Sequence, residues 1–163
     1  DVLIGIESSG PHSNGFSLIR KLLDESKISD EEKLKVVEDL LKPTILYPRL
    51  ILSLIESFEI KSISHITGGG LTENLPRSFP EDLCVEIQSS SWEIPNIFKW
   101  IMKEGNIQIM DMYRIFNCGI GMVIFVDDMN AEKISDKITS MSFKNSIIGK
   151  VKKKSEHNSV VFL

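Results

Sequence analysis

The sequence predicts a mixed α/β (α+β) sandwich in which helices cover a mixed sheet. Three observations carry this prediction. Short apolar runs at Val2–Glu7 and Gly121–Val126 have the length and composition of buried strands. Leu83, Val85 and Ile87 alternate with Cys84, Glu86 and Gln88, the period of a half-buried strand. Between these runs stand segments with helical periodicity, so strands and helices intermix along the whole length.

The elements follow in order. After the Val2–Glu7 strand and a polar turn, a helix runs from about Gly15 to Ser26, with Phe16, Ile19, Leu22 and Leu23 on one face. Ser29-Asp30-Glu31-Glu32 is a capping-box pattern, in which the serine accepts from an early N–H and Glu32 reaches back. The helix it opens has an apolar face of Leu34, Val37, Leu40 and Leu41, and Pro43 stops it. Pro48 suits the first turn of a third helix, rich enough in Leu and Ile to be well buried. Ile60–Ile66 reads as a strand, Thr67–Gly70 as a turn, and Leu71 onwards as a short helix limited by Pro76. Pro95 opens a helix ended by Gly105, and a further helical segment covers about Ile107–Phe116. Asn130 is placed to cap a helix whose face is Ile134, Ile138 and Met141. Asn145–Lys152 and Ser159–Leu163 read as a closing hairpin.

With 163 residues the chain fits one domain and can bury a sizeable core. It starts at Asp1 and enters a strand at once, as a piece of a longer protein would. A formal net charge of -4 removes any general pull towards nucleic acid. The cluster Lys150, Lys152, Lys153 and Lys154 alternates with an apolar position and reads as a solvated strand face. No apolar stretch is long enough to span a bilayer. Cys84 and Cys118 form no CxxC pair, which predicts a reducing, cytoplasmic setting.

The chemistry concentrates in two turns. In the first, Gly10 and Gly15 let the backbone turn sharply and approach a ligand. The helix that follows presents free N–H groups and a positive dipole end. Ser9, Ser13 and Asn14 add neutral hydrogen bonds, and His12 adds a donor that can become cationic near neutral pH. Equally, Ser13 or Asn14 could simply cap the helix. The second turn, Thr67-Gly68-Gly69-Gly70, carries three consecutive glycines. These cost backbone entropy, and close approach to a ligand is the leading reason for them. Thr67 offers a hydroxyl and Asn74 an amide. Glu73 fits either ribose hydroxyls or the first turn of a helix. No Lys-Ser/Thr follows the glycines and no GxGxxG is present, so neither nucleotide motif is matched.

A third segment, Met112–Met122, contains Arg114, read as an ion-pair or ligand partner, and Cys118, read as a small buried hydrophobe. His12, His65 and His157 lack metal-ligand spacing. There is no G-x-S-x-G elbow. Trp92 and Trp100 flank a proline-initiated helix and read as packing residues.

Together, Ser8–Arg20, His65–Arg77 and Met112–Met122 resemble the C-terminal domain of the phosphoribosylformylglycinamidine cyclo-ligase family, also called aminoimidazole ribonucleotide synthetase. The resemblance runs over essentially the whole chain, in order and spacing. It implies a three-layer α/β/α sandwich related to a ferredoxin-like plan. It also implies ATP-dependent ring closure in purine biosynthesis. ATP would activate a formyl amide oxygen as an iminophosphate, and magnesium would offset the polyphosphate charge.

The family's N-terminal domain, which carries much of the ATP and magnesium site and the homodimer core, has no counterpart here. This chain is therefore expected to be inactive alone. The partners implied are a phosphoribosyl substrate, that N-terminal domain and a second copy, with no nucleic acid and no membrane. Carried across position by position, the resemblance places His12 in proton transfer. It places Ser9, Ser13, Asn14, Gly15, Thr67, Gly68, Gly69, Gly70, Glu73 and Asn74 against the substrate or its phosphate. Two alternatives stand beside it. One is a non-catalytic phosphate-metabolite binding module. The other is a domain of a sibling such as formylglycinamidine ribonucleotide synthase.

Overall fold

A computed structural model describes residues 1–154 and 158–163. One six-stranded sheet organises it. The strands are β1 (Val2–Glu7), β2 (Ile60–His65), β3 (Leu83–Ile87), β4 (Ile120–Val126), β5 (Asn145–Lys153) and β6 (Val160–Phe162), in spatial order β2-β4-β1-β5-β3-β6. Every neighbouring pair is antiparallel except β3 with β6. The helices are α1 (Phe16–Glu25), α2 (Asp30–Leu40), α3 (Pro48–Ser57), α4 (Gly70–Asn74), α5 (Asn96–Gly105), α6 (Ile109–Ile115) and α7 (Ala131–Ser140).

Strand alternation sorts the side chains into two cores. Leu3, Val123, Phe125, Ile148, Val85 and Ile87 face α1, α4, α5 and α6, meeting Ile19, Leu71, Phe98, Ile101, Met112 and Phe116. Ile4, Ile6, Met122, Ile124 and Val126 face α3 and α7, meeting Leu50, Leu54, Ala131, Ile134 and Ile138. Each fully buried Leu or Ile contributes roughly 1.5–3 kcal/mol. The result is helix, sheet, helix: the expected three-layer α/β/α sandwich with a mixed sheet.

Several local expectations are corrected. The Ser29–Glu32 capping box forms, but on the apolar face of α2 only Leu40 is buried, and Leu34 and Leu41 are exposed. Helix α3 buries Leu50 and Leu54 and leaves Leu52 and Ile55 in solvent. Helix α4 does stop at Asn74, short of Pro76, but a 3-10 turn, Leu75–Ser78, carries the segment on. Gly105 is the last helical residue of α5, and Asn106 takes the left-handed C-terminal conformation instead, at φ 48°. Asn130 has helical dihedrals and caps nothing; the Asp127 carboxylate accepts from Met129 N–H one turn earlier. The closing hairpin is absent, because β3 lies between β5 and β6 and β6 runs parallel to it. Lys150, Lys152 and Lys153 do lie exposed on β5.

Candidate functional site

Antiparallel register brings the chemistry to one end of the sheet. Glu7 pairs with Ile120, Ile6 with Asn145 and His65 with Met122. The turns that leave β1 and β2 therefore emerge beside the turn that enters β4. Three segments far apart in sequence become neighbours.

The first turn is held by its own residues. Ser9 N–H donates to His12 Nε2 at 3.1 Å, and the Ser9 hydroxyl donates to the Pro43 carbonyl at 2.7 Å. His12 and Ser13 adopt φ of 52° and 61°, a strained region for residues with a Cβ. Gly15 precedes α1 at φ 71°, pressed against the Phe116 ring, and neither Ser13 nor Asn14 caps the helix with its side chain. Ser13 points to solvent. Asn14 instead reaches across, donating to the Ile115 carbonyl at 3.1 Å with its Oδ1 beside Gly68. That contact joins the first turn to the second.

The second turn is built around Asn74. Its buried amide donates to the carbonyls of Gly70 (2.7 Å) and Gly68 (3.0 Å), and its Oδ1 accepts from the Thr67 hydroxyl (3.1 Å). Asn74 is thus a clamp with no free donor left for a ligand. The glycine run has largely structural reasons. Gly69 and Gly70 take φ of 91° and 56°, and Gly70 packs on the Tyr113 and Phe116 carbonyls. Gly68 alone is open: it is exposed, lies outside the left-handed region and faces only the Asn14 amide. Among the described residues, the N–H groups of Gly68 and Gly69 donate to no protein acceptor. Glu73 is exposed, with its side chain lying over Gly69.

Asn117 is the residue that sequence reasoning missed. Fully enclosed, it accepts from the Ser8 hydroxyl (2.8 Å) and Gly119 N–H (2.9 Å) and donates to the Gly10 carbonyl (2.8 Å). It ties the first turn to the entrance of β4. An Asn beside two glycines at a helix-to-strand turn was the available signal. Cys118 is buried, and burial pushes its thiol up to about 12, so it packs as a small hydrophobe. Arg114 is exposed and has no carboxylate within ion-pair distance among the described residues, so it makes no structural ion pair. His157 lies outside the described residues.

The model of the family described as AIR synthase related protein, C-terminal domain, matches residues 1–162. The chain belongs to this family. A phosphoribosylformylglycinamidine cyclo-ligase of Neisseria meningitidis serogroup C is 44% identical across 83% of this chain and 41% of its own length. The chain thus spans less than half of that relative. Among solved structures, the hydrogenase maturation protein HypE of E. coli superposes with a TM-score of 0.64 at 18% identity, over 99% of this chain and 46% of HypE. Thiamine-monophosphate kinase of Stenotrophomonas maltophilia gives 0.59 at 16% identity, over 99% and 49%. Both share the fold of the AIR synthase related domain.

In this AIR synthase related domain His12 is uncharged at neutral pH. Burial, and secondly the nearby His65, push its imidazole down to about 4. The expected cationic donor is therefore absent. Backbone N–H groups approach Nε2, so the proton sits on Nδ1, a buried atom without a partner among the described residues. Tyr47 stands between the two imidazoles, its ring centroid 6.1 Å from His12 and 5.9 Å from His65. Its hydroxyl donates to the Glu7 carbonyl at 2.6 Å, and burial, then the Glu7 carboxylate, raise its phenol well above the usual range. The unfolded chain protonates His12 near 6.5, and the folded chain only near 4. Stability from this site is complete above pH 6.5 and is lost as pH falls through 4. The loss should reach about 1–2 kcal/mol, allowing for the solvent that still reaches the ring. Urea midpoints at pH 7 and pH 4.5, compared between the parent and His12→Gln, should show the smaller drop in the variant. Equal drops would contradict a depressed His12.

Proposed function

We propose that this chain is the substrate-binding half of a phosphoribosylformylglycinamidine cyclo-ligase, which closes the imidazole ring of aminoimidazole ribonucleotide with hydrolysis of ATP to ADP and phosphate. One observation carries the reading: 44% identity to such an enzyme across 83% of the chain. The gathering of its three motif segments at one sheet end supports it. A cytoplasmic setting and a place in purine biosynthesis follow from the same reading.

ATP, when bound, supplies the phosphoryl group that turns an amide oxygen into a good leaving group. The chain's own part is binding and orientation. The free amides of Gly68 and Gly69, the α1 terminus behind Gly15, and the side chains of Ser13, Thr67 and Glu73 border the reacting end of the substrate. Ser9, Asn14 and Asn74 shape these turns. His12 acts as a positioning residue, since Nε2 is occupied and Nδ1 is enclosed. Among the described residues no group of three or more His, Cys, Asp or Glu side chains is placed to hold a metal ion. The two turns also contain no lysine or arginine for a polyphosphate. The residues present thus do not fit ATP and magnesium sites, and these are proposed to belong chiefly to a preceding domain. The matched family is itself a C-terminal domain, which supports that division. Leu34, Leu41, Leu46, Leu52 and Ile55 offer exposed apolar surface for that domain or for a second copy in a homodimer.

Calorimetric titration decides between this reading and a sibling enzyme. Formylglycinamidine ribonucleotide should bind this chain at least about tenfold more tightly than thiamine monophosphate, a gap of about 1.4 kcal/mol. Near-equal weak binding would contradict the ligase assignment and favour a general phosphate-metabolite module.

A further inference from the structure

Asn14 is followed by Gly15, and this is the one Asn-Gly pair in the sequence. Every other asparagine precedes a residue that carries a side chain. The distinction is chemical. The backbone nitrogen after an asparagine can attack the side-chain amide carbon, and a following residue without a Cβ lets the two atoms approach. Asparagine is for that reason among the thermolabile residues.

The fold leaves the nucleophile free. Gly15 N–H donates to no protein acceptor among the described residues, although its carbonyl accepts from Ile19 N–H at 3.1 Å. The N–H groups after three other asparagines are engaged. Leu75 donates to the Leu71 carbonyl, Ile107 to the Met102 carbonyl at 3.0 Å, and Ala131 to the Asp128 carbonyl. Asn14 is half-buried, so water reaches it. One neutral hydrogen bond restrains its amide, from Nδ2 to the Ile115 carbonyl at 3.1 Å. A single bond of that kind slows a reaction by about tenfold and does not stop it.

We propose that Asn14 is a site of spontaneous deamidation and that its product closes the backbone amide of Gly68. The Gly15 nitrogen gives its proton to solvent and bonds to Asn14 Cγ. The Cγ–Nδ2 bond breaks, Nδ2 takes up a proton, and ammonia leaves a cyclic imide. Water then opens the imide, its hydroxyl going to a carbonyl carbon and its proton to the Gly15 nitrogen. Opening at Cγ restores the main chain and leaves an aspartate. Opening at the main-chain carbonyl leaves an isoaspartate, whose backbone runs through Cβ.

The consequence follows from what the amide holds. A carboxylate accepts and cannot donate, so the bond to the Ile115 carbonyl is lost and two oxygens oppose each other. Asn14 Oδ1 already lies over Gly68, whose N–H has no acceptor among the described residues. The new carboxylate turns to that N–H in a charge-assisted hydrogen bond. Glu73 lies over Gly69, which leaves Gly68 as the target. The isoaspartate in addition lengthens the backbone of a turn that Gly15 presses against the Phe116 ring. Both products cut the link between the two turns and put a negative charge where the second turn offers a free amide. Neither step depends on the ligase reading.

The test incubates the folded chain in mildly alkaline buffer beside a sample unfolded in urea, and digests both with trypsin. Asn14 is the only asparagine in the fragment Asp1–Arg20, so its conversion is read from the mass of that fragment. Chromatography separates the isoaspartate form from the aspartate form. The folded chain should convert at Asn14 ahead of every other asparagine, about tenfold more slowly than the unfolded chain. An Asn14 that survives in the folded chain while the unfolded chain converts would overturn the site. The consequence is tested with Asn14→Asp and Asn14→Ala, which both lose the bond to Ile115. The Gly68 amide proton should move downfield in Asn14→Asp and stay near its parent position in Asn14→Ala. Equal Gly68 shifts in the two variants would overturn the closing of that amide, since a loosened turn alone gives no contrast between them.

Discussion

Gly70→Ala should destabilise the chain by about 4 kcal/mol, combining left-handed strain with forced separation of packed backbone. Gly70 sits at φ 56°, and its Cα lies against the Tyr113 and Phe116 carbonyls, which are backbone atoms and cannot rotate away. The methyl would push α4 off the end of α6 and open the second turn. Gly68→Ala is the matched control. It has no positive φ, and a Cβ there would meet only the Asn14 amide at an ordinary 3.4 Å. Its cost should stay within about 0.5 kcal/mol, as for other surface substitutions. Urea unfolding of the two variants measures the contrast directly. Equal midpoints would show that the triple-glycine run is not explained by packing.

Asn117→Ala is the second large effect. It removes three hydrogen bonds at once and leaves the Ser8 hydroxyl, the Gly119 N–H and the Gly10 carbonyl without that partner in a buried site. Each orphaned group costs about 1–3 kcal/mol, so a total near 4 kcal/mol is expected. The loss should also be local. Hydrogen exchange should accelerate in residues 8–15 far more than in β4, because the apolar contacts of Ile124 and Val126 do not depend on the amide. Uniform acceleration through the sheet would mean that Asn117 supports the whole fold and not the turn.

These two residues show how far the sequence could be read. Gly70 was legible as special, because three glycines in a row demand a cause, but the cause is contact with a helix end about forty residues away. Asn117 lies inside the third motif segment, yet two of its three partners, Ser8 and Gly10, come from a turn that only the sheet register brings beside it. The layered architecture was legible because strand and helix periods are local. The pairing of β6 with β3 was not, since nothing in the Ser159–Leu163 run distinguishes a parallel neighbour from a hairpin. Helix α2 misled for a related reason. Its capping box and apolar spacing specify a helix correctly, but periodicity says nothing of what covers Leu34 and Leu41. His12 was visible as the only imidazole in the first turn. Its neutrality comes from burial and from His65, which lies on a different strand end.

Under the proposed function this chain supplies the substrate side of a cyclo-ligase and needs a second domain for turnover. An ATP-dependent cyclisation assay tests it most directly. The chain is assayed alone and then joined to the N-terminal remainder of the Neisseria relative. The chain alone should form no aminoimidazole ribonucleotide, and the joined protein should form it together with ADP and phosphate. Turnover by the 163 residues alone would contradict the division of the site. A joined protein that folds and binds ATP but leaves formylglycinamidine ribonucleotide unchanged would contradict the assignment itself.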